Sequence, residues 1–197
     1  MRSGTKAMIA VGLLLAAGLG YLGVSIARHG FSARDMPSRL EKFLAQHARK
    51  IAAPAGAKEL KNPYPVTADT LTSARAHWVS QCAICHGLDG TGNTIVGRNL
   101  YPKAPDMRDA FTQGLSDGEL FYIIKNGVRF TGMPAWGSEH SPEDTWELVS
   151  FIRRLPQLTP DELKLMERLA AGEVSQSTYS HTHAAGEKSH KSHRNEE

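Results

Sequence analysis

Cysteine is scarce in this chain of 197 residues, which contains only Cys82 and Cys85. A disulfide-stapled scaffold needs more cysteines than this, since small secreted domains of that kind usually carry four or more. A structural zinc site usually has four ligands, and Cys82, Cys85 and the adjacent His86 supply three. The close spacing of these residues therefore indicates a different chemistry.

The chain also lacks a basic surface of the kind that binds nucleic acid. Its formal net charge is only +3. Residues 28–68 carry eight basic and three acidic residues, whereas residues 69–160 carry eight basic and ten acidic ones. We therefore expect no nucleic-acid partner. A basic segment that follows an apolar run suits a position near anionic lipid.

Charge is absent from residues 7–27, a run of 21 residues. As a helix this run is about 31 Å long, roughly the thickness of one hydrocarbon core. Arg2 and Lys6 precede it, which fits either a membrane anchor or the start of a signal peptide, and residues 25–27 form a tolerable cleavage sequence. We favour a membrane anchor over residues 1–27, and an uncleaved signal segment is the alternative.

A basic connector is predicted over residues 28–66, and it contains one amphipathic helix. Pro37 stands where a first-turn proline is tolerated, and Pro54 ends the helix. Two interpretations stay open for this helix: it packs on the domain that follows, or it rests on the bilayer surface. Its predicted apolar face consists of Leu40, Phe43, Leu44, Ala48 and Ile51.

Residues 67–171 are predicted to form one all-α domain with long ordered loops. No strand-like alternation of apolar and polar residues occurs in this region, and helix-capping residues recur instead. The stretches around residues 87–107 and 128–137 are predicted as loops because they are rich in glycine and proline. Four helices are predicted, capped by Thr67, Ser116, Ser141 and Thr159 and ending near Gln81, Asn126, Leu155 and Ala171.

The C-terminal tail, residues 172–197, is polar and almost free of large apolar groups. Such a composition cannot bury enough apolar surface to fold, so we expect disorder. Two interpretations stay open: a soluble tail that happens to be rich in histidine, or a segment that binds metal weakly and exchangeably. The four histidines of the tail are His181, His183, His190 and His193.

The Cys82-x-x-Cys85 pair alone is compatible with a thioredoxin-like redox site, but no strand precedes it and no βαβ unit surrounds it. With His86 directly after Cys85, the motif is the more specific signature of covalent haem attachment. The two thiols lie one helical turn apart and form thioether bonds with the haem vinyl groups, while His86 becomes an axial ligand of the iron. The sequence therefore predicts one covalent haem c.

A second axial ligand is expected on a distant loop, and Met133 is the leading candidate. It lies in "GMPAWG", where Pro134 stiffens the loop and Gly132 allows the backbone to approach the porphyrin. A thioether ligand favours ferrous iron and raises the reduction potential. Met107 is the reserve candidate and suits the lining of the pocket better, and His140 is the alternative for bis-histidine ligation.

Four segments together resemble a class I monohaem cytochrome c domain of the membrane-anchored bacterial type. They are "CAICHGLDGTG", "LYPKAPD", "SDGELFYIIKNGVRFTGMPAWG" and "DTWELVSFIRRL", and the resemblance covers roughly residues 67–157. It implies the cytochrome c fold, in which helices pack around one covalent haem. The activity that it implies is single-electron transfer, so the protein is expected to be an electron carrier rather than an enzyme.

The resemblance also implies roles for further residues. The first and last helices of such domains cross beside the haem with aromatic contacts, which Trp78 and Phe151 would supply. A proline carbonyl accepts a hydrogen bond from the proximal histidine, and Pro102 is the first choice for it, ahead of Pro105. Further expected neighbours of the haem propionates or of the pocket are Arg98, Tyr101 and Trp136.

Haem c is attached outside the cytoplasm, so the resemblance implies that the domain lies in the periplasm behind a single N-terminal pass through a bacterial inner membrane. The expected partners are transient redox proteins of a respiratory chain. A quinol-oxidising complex or a dehydrogenase would be the donor, and a terminal oxidase or reductase the acceptor. The alternative function is a haem protein with a labile Met133 ligand that acts as a peroxidase or a ligand sensor.

Overall fold

A computed structural model describes residues 2–30, 32–34 and 36–173 of the chain. The regular structure in these ranges is entirely helical, which confirms the predicted all-α class. The tail from residue 174 onward lies outside the described residues, and so do the predictions made for it. The α-helices are α1 (Arg2–His29), α2 (Arg39–Ala52), α3 (Ala55–Glu59), α4 (Ala68–His77), α5 (Ala83–His86), α6 (Ile95–Asn99), α7 (Ala110–Gln113), α8 (Asp117–Asn126), α9 (Pro142–Arg154) and α10 (Pro160–Ala170).

The chain divides into two units between Met36 and Pro37. The first unit contains α1, whose stretch Gly4–Arg28 is long and apolar enough to cross a membrane. None of this stretch is buried against protein. A membrane anchor and a signal sequence both have these properties.

Helix α2 opens the second unit and is capped by Ser38, whose hydroxyl accepts a hydrogen bond from the Glu41 amide at 3.1 Å. Pro37 therefore precedes the cap instead of standing in the first turn. The apolar side chains of Leu40, Phe43 and Leu44 are exposed. The structure thus shows no packing of this part of the apolar face on the domain.

The core of the second unit forms where α4 and the turn that follows it pack against α9. Trp78 and Phe151 are almost completely buried, and their ring centroids lie 5.6 Å apart. A second aromatic pair, Phe121 of α8 and Trp146 of α9, stacks at 4.4 Å. Burial of such large rings contributes a major part of the hydrophobic stabilisation of a domain of this size.

The four predicted helix starts are confirmed. Each capping side chain accepts a hydrogen bond from the backbone amide three residues later, and that residue's side chain bonds back to the backbone amide of the cap. These reciprocal bonds satisfy two amides that a helix start otherwise leaves unpaired. The capping residues are Thr67, Ser116, Ser141 and Thr159.

Two parts of the chain differ from the predictions. The helix expected to end near Gln81 continues through a π-helical turn, Trp78–Cys82, into α5 and ends at His86. Helix α6 occurs in a segment predicted as loop, and α7 occurs in residues 108–115, for which no element was predicted. They have five and four residues, too few to show a helical period in the sequence.

Close packing of α3 on α8 depends on Gly118, because a Cβ atom there would overlap with the carbonyl oxygen of Ala57. We expect Gly118→Ala to destabilise the domain by about 1–3 kcal/mol, the usual effect of overpacking. Gly56→Ala is the matched control, since Gly56 lies in α3 with open space around its Cα. That change should be neutral or stabilise the domain by about 0.4–1 kcal/mol. Denaturant unfolding measures the free energy of unfolding of both variants. Equal changes in the two variants would contradict this packing.

Candidate functional site

The haem-attachment motif lies on a continuous helical segment at the edge of the aromatic core. Cys82 ends the π-helical turn, and Cys85 and His86 belong to α5. The indole Nε1 of Trp78 donates a hydrogen bond of 3.0 Å to the Gly87 carbonyl, and its ring centroid lies 5.9 Å from that of His86. The buried Trp78 therefore fixes the end of α5 that bears His86.

The loop after α5 turns back and braces the motif. The Thr94 hydroxyl donates to the carbonyls of Ile84 and Cys85 at 2.8 and 3.2 Å, and it accepts from the Gly97 amide at 2.8 Å. Gly97 is buried, and a Cβ atom there would overlap with the Cys85 carbonyl oxygen. The backbone around both cysteines is thus held by direct contacts with α6.

The two thiols are suited to attachment and not to thiol–disulfide exchange. Both cysteines are free and half-buried. Burial, assisted by the neighbouring Cys85, raises the pKa of the Cys82 thiol to about 12. Catalytic Cys-x-x-Cys pairs instead have a thiol of lowered pKa, because the thiolate is the nucleophile. The environment of Cys82 thus argues against a thioredoxin-like site, as the absence of a preceding strand already did.

The His86 imidazole is neutral at physiological pH, which is the form that binds a metal. Burial lowers the pKa of His86, and the nearby carbonyl of Pro105 acts in the opposite direction with a smaller effect. Nδ1 of His86 is buried and has no hydrogen bond of regular geometry within the described part of the chain. The ring thus carries a buried polar atom that the polypeptide leaves without a regular partner.

The carbonyl that acts on His86 belongs to Pro105, which was the second choice from the sequence. Pro102, the first choice, is exposed and follows a cis peptide bond after Tyr101. The geometry therefore favours Pro105 as the residue that orients His86. A hydrogen bond of this kind fixes the tautomer of a ligating histidine and makes it a better donor to the metal.

Met133 lies half-buried in a loop that returns from α8 to α9. Its carbonyl accepts from the Val128 amide at 3.1 Å, and its amide donates to the Thr131 hydroxyl at 3.1 Å. The turn at Gly127, with φ of 65°, brings the backbone against Met133 and Pro134 so closely that a Cβ atom would overlap with them. The Met133 loop, residues 127–140, is therefore a turn that these contacts hold in place.

The Met133 loop also reaches the segment that braces the haem motif. A Cβ atom on Gly132 would overlap with the Leu100 side chain, so the two are in contact. Leu100 follows α6 directly, and α6 packs on the Cys85 carbonyl through Gly97. A continuous series of contacts thus connects the motif of His86 with the loop of Met133.

The other predicted residues are placed as follows. Met107 packs against the hydrophobic core. Arg98 is exposed and donates to Asn93, and the Tyr101 hydroxyl contacts Glu41 of α2. Trp136 stacks on His140, and His140 is hydrogen-bonded within the protein. The environment of His140 gives no support to bis-histidine ligation.

These residues fit a covalently attached haem. Two thiols three positions apart on a braced backbone, a neutral imidazole and a soft thioether on a connected loop form the donor set that haem c uses. Cys82 and Cys85 would hold the porphyrin, and His86 and Met133 would face the iron. Among the described residues, no cluster of three or more His, Cys, Asp or Glu side chains forms a competing metal site.

A comparison with known protein families agrees with this assignment. Residues 69–152 match the family model described as cytochrome c oxidase, cbb3-type, subunit III. Combined with the Cys82–His86 motif, the match establishes that the second unit contains a monohaem cytochrome c domain, which binds one covalent c-type haem. A domain of this kind implies electron transfer that depends on the haem.

One solved structure is similar to part of this chain. The chain is similar to the Kuenenia stuttgartiensis reducing HAO-like protein complex Kustc0457/Kustc0458, with 21% sequence identity and a TM-score of 0.43. The alignment covers 49% of each chain, so this protein spans about half the length of that one. No curated protein matches the chain.

Sequence reasoning missed one group of residues beside the site. His77, Gln81 and His140 form a polar cluster between the segment that precedes Cys82 and the end of the Met133 loop. His77 and Gln81 lie in a stretch that the sequence assigned to a helix, and His140 was considered only as an alternative iron ligand. No spacing rule connects residues so distant in the chain, and only the structure brings them together.

Proposed function

We propose that this protein is a membrane-anchored carrier of single electrons, in which His86 and Met133 ligate the haem iron from opposite sides. The observation that carries the proposal is the combination of a neutral, half-buried His86 on a braced motif with a half-buried Met133 on a braced loop. With both axial positions held by protein, a substrate has no place to bind the iron. Electron transfer then needs no acid, base or nucleophile.

The residues around the site keep the iron ligands in place through both oxidation states. The bound haem supplies the chemistry, since its iron alternates between the ferric and ferrous forms. Trp78 and Thr94 hold the backbone of the motif, and Pro105 orients His86. Thr131 and Val128 brace Met133. A site that does not rearrange on reduction favours rapid electron exchange, because little reorganisation is required.

The proposed location is the periplasmic side of a bacterial inner membrane. Helix α1 supports an anchor by its length and apolar character. Attachment of haem c outside the cytoplasm places the cytochrome domain beyond that membrane. The proposed partners are redox proteins of a respiratory chain: a quinol-oxidising complex or dehydrogenase as donor, and a terminal oxidase or reductase as acceptor. Their contacts would be small and transient.

One experiment tests the anchor and the carrier separately. We expect that replacing residues 2–28 with a cleavable export signal moves the haem domain from the membrane fraction to the soluble periplasmic fraction. The potentiometric titration of the released domain should remain that of the full chain, a single reversible one-electron wave. A domain that stays with the membrane would contradict the anchor, and an absent or irreversible wave would contradict the carrier.

A further inference from the structure

His77, Gln81 and His140 join the segment that leads into the haem motif to the end of the Met133 loop. His77 is the last residue of α4, Gln81 directly precedes Cys82, and His140 ends the Met133 loop. Nε2 of His140 lies 3.0 Å from Nε2 of His77 and 2.6 Å from Oε1 of Gln81. We call these three residues the histidine clasp.

The clasp is fixed firmly to the Met133 loop. His140 is only 6% exposed, and the Trp136 ring stacks on it with a centroid distance of 5.0 Å and an interplanar angle of 12°. The His140 amide donates to the Trp136 carbonyl at 2.9 Å, and the Trp136 amide donates to the Ile124 carbonyl of α8 at 3.1 Å. A change at His140 therefore reaches the Met133 loop through Trp136.

The clasp contacts are satisfied by one arrangement of protons. Gln81 Oε1 is an acceptor, so Nε2 of His140 carries the proton and donates it, and the unprotonated Nε2 of His77 accepts the second contact. Nδ1 of His140 then bears a lone pair, which suits an atom that is buried and has no partner in the described structure. A metal ion bound through both Nε2 atoms would move the proton of His140 to Nδ1, where no acceptor is present. The geometry thus favours a hydrogen-bonded clasp over a metal site.

A second proton breaks the clasp wherever it binds. On Nε2 of His77 it would face the N–H of His140 at 3.0 Å. On Nδ1 of His140 it would be buried without an acceptor, which typically costs about 1–3 kcal/mol or more for a charged group. The clasp is therefore compatible only with two neutral histidines.

The charges that face His140 come from all the segments around it. Burial lowers the pKa of His140, and the neighbouring His77 of α4 lowers it further. Asp144 of α9 and Glu139 of the Met133 loop raise the pKa, with a smaller effect. The folded clasp thus binds fewer protons than the unfolded chain. Its stability is complete above the ordinary pKa of 6.5 and decreases as the pH falls below that value.

We propose that His77, Gln81 and His140 are positioning residues. They hold the Met133 loop in the position from which Met133 ligates the iron, and they do so only while both histidines are neutral. Acidification then releases the loop and weakens the bond from Met133 to the iron. The inference rests on the proposed function, because it takes Met133 as the axial ligand. It makes the axial ligation of this cytochrome sensitive to pH through groups other than the axial ligands.

The test is a pH titration, from about pH 8 to pH 5, of the full-length ferric protein with its haem. The sulfur-to-iron charge-transfer band reports ligation by Met133, and far-ultraviolet circular dichroism reports the fold. In the wild type, the band should disappear below pH 6.5 while the helical signal stays constant. The ratio of ligated to released protein should fall about tenfold per pH unit, as for the binding of one proton.

The double variant His77→Gln/His140→Gln keeps side chains that can donate and accept at both positions and removes both titrating rings, so its band should change less than about twofold over the same range. His140→Gln is the second variant, should the first fail to fold. His47→Gln is the matched control, because His47 lies on α2 and its Nδ1 is 2.8 Å from the Phe43 carbonyl of the same helix. The control should titrate like the wild type. A band that persists to pH 5 in the wild type, or that disappears equally in the double variant, would overturn the proposal.

A second readout separates this inference from the proposed function. In the ferrous protein, the imidazole nitrogen resonances of His77 and His140 should titrate together below pH 6.5, and the amide resonance of Trp136 should shift with the same midpoint. A wild type that shows no sulfur band at any pH would contradict ligation by Met133, and the clasp is then judged by these resonances. Separate titrations at the ordinary histidine value, with Trp136 unmoved, would overturn the clasp.

Discussion

Met133→Leu is expected to abolish the sulfur-to-iron charge-transfer band of the ferric protein and to lower its reduction potential. Leucine matches methionine closely in volume but offers no donor atom, so the loop keeps its packing while the iron loses an axial ligand. A thioether stabilises ferrous iron. Its loss should therefore lower the potential on the order of 100 mV or more, within the roughly 0.8 V that axial ligands span.

Met107→Leu is the matched control for this prediction. Met107 is half-buried like Met133, but it packs against the hydrophobic core and its carbonyl accepts from the Gln113 side chain at 2.7 Å. The control should keep the band and a potential close to that of the wild type. Absorption spectra and potentiometric titrations of both variants measure the effects. Loss of the band in Met107→Leu, with retention in Met133→Leu, would show that Met107 and not Met133 is the ligand.

Replacing both Cys82 and Cys85 with alanine is expected to remove all covalently bound haem. No other cysteine exists in the chain, so no thioether bond can form elsewhere. Each single variant should retain haem through one remaining bond, in smaller yield. Haem-dependent peroxidase staining after denaturing electrophoresis measures covalent attachment directly, since non-covalent haem is lost on unfolding.

Ile84→Ala is the control for the attachment experiment. Ile84 lies between the two cysteines, and its side chain is 65% exposed. The thiols and His86 are untouched in this variant, so staining should equal that of the wild type. Haem staining at the mass of the double cysteine variant would show an attachment that does not use the motif.

The chemistry of the attachment motif and the helix starts were accessible from the sequence because both are local. A cap such as Ser116 is recognised together with Glu119, three residues later, and the structure shows the reciprocal bonds between them. The same holds for Cys82, Cys85 and His86, whose spacing alone specifies their chemistry. Met133 was selected by its loop context, and its place as the second ligand remains a prediction that the variants above test.

Features that depend on distant contacts were not accessible. His77 and His140 are 63 positions apart, and no periodicity connects them. The choice between Pro102 and Pro105 depends on the path of a loop after α6, and the sequence does not encode that path in any simple pattern. The turn of π-helix before Cys82 escaped prediction because a π-turn differs from an α-helix by one residue.

The central claim is that both axial positions of the iron are closed by the protein. Carbon monoxide binding to the ferrous full-length protein tests it most directly, since carbon monoxide binds ferrous haem only where a position is open or readily vacated. At pH 7.5, above the ordinary histidine pKa of 6.5, the account predicts a low-spin ferrous spectrum that carbon monoxide leaves unchanged. A high-spin ferrous spectrum that shifts at once on addition of carbon monoxide would contradict it, and the haem would then serve catalysis or ligand sensing.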